Sequence, residues 1–201
     1  MPKFSSRNIQ TFRDKLTGGG TRPNLFEVKI AVPPMLKDDV VDQDIMTFMV
    51  KAAEIPAANI GNIPVPFRGR VLPVAGDRTF DPWTVTVIND LEGSAKNVRN
   101  FMEVWSNSIN DLQFDGGVTD PESYQSNAKV FQFGRTAKAQ DKVEGKAEGD
   151  GDYKTLRAYK FEGIYPNSVS AIPLDYGATD QIEEFQVTFN YIFWNVIDEK
   201  P

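Results

Sequence analysis

Apolar and polar residues take turns one by one through much of this chain, and that alternation commits it to β-sheet with one buried face, because successive strand side chains point to opposite sides. The pattern is sharpest near the C-terminus, where Phe185, Val187, Phe189, Tyr191 and Phe193 share one parity and Glu184, Gln186, Thr188 and Asn190 the other. Phe26, Val28, Ile30 and Val32 repeat it around Glu27 and Lys29, and Trp83, Val85 and Val87 do so around Thr84 and Thr86. Phe131 and Phe133 alternate with Val130 and Gln132, and Arg157, Tyr159 and Phe161 with Ala158 and Lys160, which predicts two strands that pair with each other. Pro33-Pro34 stops the first strand, and Phe48, Val50 and Ala52 resume the alternation, so a hairpin with a long loop over 33–44 is expected. Between Ile55 and Val74, residues Val65, Phe67 and Val71 alternate with Arg68 and Arg70, but prolines at 56, 64, 66 and 73 cannot donate to a ladder. That stretch belongs at a sheet border.

One segment departs from period two. Ala95, Val98, Phe101, Met102, Trp105 and Ile109 recur at three- and four-residue spacing, which predicts a helix over 92–109. Asn89-Asp90 supplies its cap, Val98, Phe101 and Trp105 pack on a sheet, and Lys96, Arg99 and Glu103 face solvent. The fold class is therefore mainly β, an antiparallel sandwich or barrel with one flanking α-helix. Residues 1–23, with Gly18-Gly19-Gly20 as a hinge, read as an N-terminal arm, residues 24–201 as a single β-domain, and the polar run Thr136–Asp152 as a mobile loop.

Composition excludes more than it selects. The chain has neither cysteine nor histidine, which removes disulfides, thiolate metal sites, the usual zinc ligands and nucleophile–histidine catalysis together. A formal charge of −6 argues against a surface built to grip phosphates. The first residues lack an apolar run of signal-peptide length, and nowhere do 18 apolar residues occur together, so no membrane anchoring is expected. Asp38-Asp39 and Glu183-Glu184 are adjacent acids, which on a strand point apart and cannot converge on a substrate. The acidic stretch 141–152 misses the calcium-loop spacing, and Gly18-Gly19-Gly20 lacks the ending of a phosphate loop. No catalytic, cofactor or metal site is expected. Arg68 and Arg70, placed on one strand face, suit an anion, a subunit interface or solvent equally. The Gly76–Phe80 run reads as a polar loop between strong strands, which makes Asp77, Arg78, Thr79 and Phe80 the expected inter-subunit contacts, with Asp77 and Arg78 forming the ion pairs.

The segment running from Val74 to Val87, VAGDRTFDPWTVTV, resembles a signature of the tail tube proteins of contractile-tailed bacteriophages. Arg22-Pro23-Asn24-Leu25-Phe26 is similar to that family's entry into its first strand, Ala53-Glu54-Ile55-Pro56-Ala57 to its second, and Tyr165-Pro166-Asn167-Ser168-Val169 to the approach to its final hairpin. The resemblance covers residues 22–110 and 160–196; the connections at 33–44 and 136–152 look longer than the family's. It implies a β-sandwich with a helix whose sheets join between six subunits into rings, and rings that stack into a tube. It further implies a sheath protein outside, baseplate and tube-initiator proteins at one end, a tape-measure protein in the lumen, and DNA that passes without specific binding. The place implied is the virion tail inside the sheath, after assembly in the host cytoplasm. Two other readings stand beside it: a tube protein of a related contractile injection or type VI secretion system, and an unrelated binding module or hydrolase on a β-sandwich.

Overall fold

Trp83, Val85 and Val87 are fully buried while Thr84 and Thr86 are half-buried, and Phe185, Val187 and Phe189 are buried in the same rhythm. Strands β5 (Trp83–Ile88) and β10 (Glu184–Asn190) accordingly pair antiparallel in a register that sets Phe185 opposite Val87, Val187 opposite Val85 and Phe189 opposite Trp83. On the polar face the same register brings the Thr84 and Thr188 hydroxyls to 3.3 Å. The computed structural model describes residues 20–36, 49–89, 97–111, 116–137 and 153–197, together with Ile9, Phe12, Arg13 and Leu16. Of the connections expected at 33–44 and 136–152, Pro34–Leu36 form a short helical turn and residues 136–137 continue a strand, while 37–44 and 138–152 lie outside the described residues.

The other main strands are β1 (Phe26–Ile30), β2 (Val50–Ala53), β3 (Ala58–Phe67), β4 (Arg70–Phe80), β8 (Ser126–Ala137), β9 (Tyr153–Val169) and β11 (Phe193–Ile197), with the short pair β6 (Asn110–Asp111) and β7 (Gly116–Gly117) after the helix. The chain divides into two compact units. The smaller comprises Met1–Glu27, Val130–Tyr159 and Val196–Pro201. Within it the Phe133 N–H donates to the Leu25 carbonyl at 2.9 Å, and Val130, Phe131, Ala158 and Tyr159 are buried. Burial at consecutive positions shows that these strand segments are covered on both faces there, which is why their alternation is weaker than that of β10.

The larger unit comprises Val28–Lys129 and Lys160–Asn195. The strand order of the seven-stranded sheet is β1-β8-β9-β10-β5-β2, and β11 also pairs with β9. The adjacent strands β8 and β9 do pair, as expected. The expected hairpin of β1 with β2 does not form: β1 lies beside β8 and β2 beside β5, at opposite ends of the order. Every ladder offers the same N–H and C=O groups, so sequence adjacency loses to whichever neighbour completes the buried face.

The principal helix, α1 (Val98–Ile109), packs Val98, Phe101, Met102 and Trp105 into the core. Its cap is Asn97, whose side chain accepts the Arg99 N–H at 2.7 Å. The helix thus starts at 98 rather than 92; residues 90–96 fall outside the described ones, and Asn89 instead donates its amide to Glu183 at 2.7 Å. Arg99 is only half exposed: it donates to the Ser170 carbonyl at 2.6 Å, lies 5.1 Å from the Phe185 ring centroid and pairs with Glu103. A second helical turn, α2 (Pro121–Tyr124), is capped by Asp120 with Pro121 at its first position, a start signal that the apolar pattern did not reveal. Trp105 joins these parts: its ring lies 6.1 Å from Phe189, and its indole N–H donates to the Tyr124 carbonyl at 2.9 Å. Trp83 stacks on Phe161 at 4.5 Å beside Phe189 at 5.4 Å.

The C-terminal alternation, expected to be one strand, is two. Between β10 and β11 the Ile192 N–H donates to the Glu162 carbonyl at 3.0 Å, and β9 bends at Gly163, where φ is +65°. A Cβ at Gly163 would stand 2.7 Å from the Ile192 side chain, so glycine supplies both the conformation and the space for the crossing. Phe193 consequently leaves the core and is partly exposed. Tyr191 turns its hydroxyl to the Asp81 carbonyl at 2.6 Å, and burial, with the Asp81 charge second, pushes its pKa up to about 12. A raised folded value means stability is intact below pH 10 and falls as pH rises through about 12. Tyr191→Phe is expected to cost about 1 kcal/mol at neutral pH and to flatten that alkaline loss; a melting curve series in which the variant keeps the full loss would overturn the assignment.

Candidate assembly surface

The segment expected at a sheet border forms a sheet of its own. β3 and β4 pair only with each other among the described residues, in a ladder running from Ala58 opposite Phe80 to Phe67 opposite Arg70. Arg68 and Gly69 close it with φ of 46° and 78°, the positive pair that a two-residue turn needs to match strand twist. Arg68 therefore sits in the turn and Arg70 opens β4, rather than both lying on one strand face; the Arg68 guanidinium lies 5.3 Å from the Phe67 ring centroid. The ladder slips once, between Ile60 and Asn62, where Gly61 and Gly76 approach so closely that a Cβ on Gly76 would meet the Gly61 backbone at 3.2 Å.

The turn fixes which rungs carry hydrogen bonds. With Phe67 and Arg70 as the bonded pair next to the turn, the rungs 66–71, 64–73 and 62–75 are the ones whose N–H groups point outward. Pro64, Pro66 and Pro73 occupy three of those six positions, so the outer edges of the hairpin have lost half their donors there. The faces are apolar on both sides. Ile63, Val65, Phe67, Leu72 and Val74 share one face and Val71 and the prolines the other, and Phe67 is 66% and Leu72 60% exposed. An isolated two-stranded hairpin is marginal in water, and an apolar one is a contact surface awaiting cover.

Asp77, Arg78 and Thr79, expected in a loop, lie exposed on β4 instead, Arg78 opposite Ile60, Thr79 opposite Asn59 and Asp77 at the slip in the ladder. Their polar run gave no apolar alternation to reveal the strand, which the ladder with β3 imposes. Phe80 is half-buried against Tyr191 at 6.0 Å and Trp194 at 6.1 Å, so of the four it is the one anchored within its own subunit. Glu183 and Glu184 do point to separate partners, Asn89 and Lys51, the latter at 2.5 Å. The stretch 171–182 before them, which carries no strand or helix periodicity, exposes Leu174, Tyr176 and Ile182 around an open groove of about 860 Å³. Two apolar residues within a few positions of Pro173 and Gly177 were the available signal. Among the described residues no helix is long and apolar enough to cross a membrane.

A β-rich chain that exposes Ile63, Val65, Phe67, Leu72 and Val74 along one hairpin face presents a surface of the kind that other molecules cover. A family model described as phage tail tube protein matches residues 21–197, and the chain belongs to that family. It is 33% identical over 179 residues to the tail tube protein gp19 of Enterobacteria phage T4, which covers 89% of this chain and 93% of the relative. It is 25% identical over 185 residues to the tail tube protein of Serratia phage KSP90, covering 91% and 93%. These relatives are structural tail proteins of virions, not enzymes. In fold it is similar to a chain of the sheath–tube complex of the extracellular contractile injection system PVC, with a TM-score of 0.57 at 10% identity over 96% of this chain and 99% of that one. It is similar also to a chain of the anti-feeding prophage baseplate, with a TM-score of 0.58 at 8% identity over 89% and 95%.

Proposed function

We propose that this chain forms hexameric rings that stack into the inner tube of a contractile phage tail. The observation that carries the proposal is the family match along residues 21–197, which includes the apolar hairpin that a lone subunit leaves uncovered. Homo-oligomers with closed symmetry are the usual way for identical chains to cover such a surface, and the baseplate that shares this fold is six-fold symmetrised. Asp77, Arg78, Thr79 and Phe80 lie along the base of the hairpin and contribute inter-subunit contacts, Asp77 and Arg78 through ion pairing. The N-terminal arm, residues 1–23, ahead of the single β-domain of residues 24–201, serves the same assembly.

The tube is wrapped by a sheath protein, starts from baseplate and initiator proteins, holds a tape-measure protein during assembly, and conducts DNA afterwards. A polyanion passes quickly only where phosphates find few cations, because each Lys or Arg contact adds a salt-dependent hold. Six subunits of charge −6 can present a polar, net acidic lumen wall. Negative-stain microscopy and sedimentation of the purified protein at rising concentration test the assembly: rings of six subunits, then tubes, are expected. A chain that stays monomeric throughout overturns it. Retention of DNA by such tubes at low salt would overturn the acidic lumen alone.

A further inference from the structure

The hairpin tip and the 171–184 groove are opposite in charge and alike in exposed apolar surface, and both belong to the larger unit. At the tip, Arg68 and Arg70 flank Gly69 between Phe67 and Val71, with no acidic residue between positions 62 and 76. Residues 171–184 carry Asp175, Asp180, Glu183 and Glu184 and neither lysine nor arginine. Glu184 already pairs with Lys51, whereas Asp175 and Glu183 line the groove and Asp180 precedes its lining residue Gln181, with no lysine or arginine in the stretch. Asp175 accepts the Gly177 N–H at 2.8 Å, which holds the turn that presents Tyr176 wholly to solvent, and Leu174 is 85% exposed.

We infer that the β3–β4 tip of one copy seats in the 171–184 groove of the next copy, its two guanidinium groups meeting Asp175, Asp180 and Glu183 and its Phe67 and Val71 covering Leu174, Tyr176 and Ile182. The inference rests on the assembly reading above and names the acceptor for its hairpin. Three physical features lead to it. A ten-residue strand extends on the order of 30 Å, enough to carry the tip beyond its own subunit. Pro64, Pro66 and Pro73 remove outward donors, so the distal hairpin is unsuited to recruitment as an added strand and must be recognised through its side chains. Arginine stacks on an exposed tyrosine face and pairs with carboxylates at the same time, and Tyr176 offers the first next to Asp175, which offers the second. Because the two patches differ, the contact is heterologous: each copy donates a tip and accepts one, so the interaction propagates around a ring or from ring to ring.

The chain has no cysteine, so introduced thiols report this contact without background. Arg68→Cys with Tyr176→Cys in one chain, oxidised after assembly, is expected to give a ladder of covalent multimers on a non-reducing gel that collapses with reductant. Either single variant has no opposing thiol at the contact and is expected to run as a monomer. Independently, Arg68→Glu with Arg70→Glu should raise the concentration needed for half-assembly about tenfold or more while leaving the melting temperature of the subunit unchanged. Assembled particles without a ladder, or undiminished assembly of the charge-reversed variant, overturn the inference and leave the assembly reading standing. A wild-type chain that remains monomeric in the same sedimentation runs removes the assembly reading itself.

Discussion

Replacing Val65, Leu72 and Val74 together with threonine or asparagine should leave the subunit folded and stop it from forming rings. All three lie on one face of the β3–β4 hairpin and are 41%, 60% and 42% exposed, so the lone subunit gains little from them. Surface changes of this kind alter stability by about 0.5 kcal/mol or less each. Covering the roughly half of each side chain that is still exposed contributes about 1 kcal/mol, and about 3 kcal/mol lost at every contact lowers an association constant by about a hundredfold. The measurements are a melting curve on the subunit and sedimentation with microscopy on the assembly. Normal rings would show that the hairpin face is not the contact, and a lowered melting temperature that it packs within the chain instead.

The opposite signature is expected at Trp105. It is fully buried between Phe101 and Phe189, and its indole N–H is satisfied by the Tyr124 carbonyl. Trp105→Ala leaves a large cavity and an orphaned carbonyl, and truncations of that size cost about 3–5 kcal/mol. For a chain of this length each kcal/mol lowers the melting temperature by roughly 2–4 °C, so a fall of about 10 °C is expected with sharply reduced soluble yield. Assembly would fail only because folded subunits become scarce. An unchanged melting temperature would remove Trp105 from the core. The two substitutions therefore separate what holds the subunit together from what holds the tube together.

The same division separates what local sequence determines from what the whole fold decides. Period two in Phe185, Val187 and Phe189, and in Trp83, Val85 and Val87, determined both the strands and their buried faces, since strand geometry alone sends alternate side chains to opposite sides. The helical spacing of Val98, Phe101, Met102 and Trp105 determined the buried stripe of α1 in the same way. The four blocks resembling tail tube proteins determined the family without any fold in view. Local pattern says which side of an element is covered, but not by what. It could not say that β1 would join β8 rather than β2, because backbone hydrogen bonds are alike in every strand and the choice depends on the whole core. It could not place the break at Tyr191-Ile192, which depends on Gly163 bending a strand distant in sequence. Nor could it show that Ile63, Val65, Leu72 and Val74 stay outside the core although they are as apolar as the residues within it. Only the tertiary structure decided that, because exposure is a property of what the rest of the chain leaves uncovered, and no residue carries it alone.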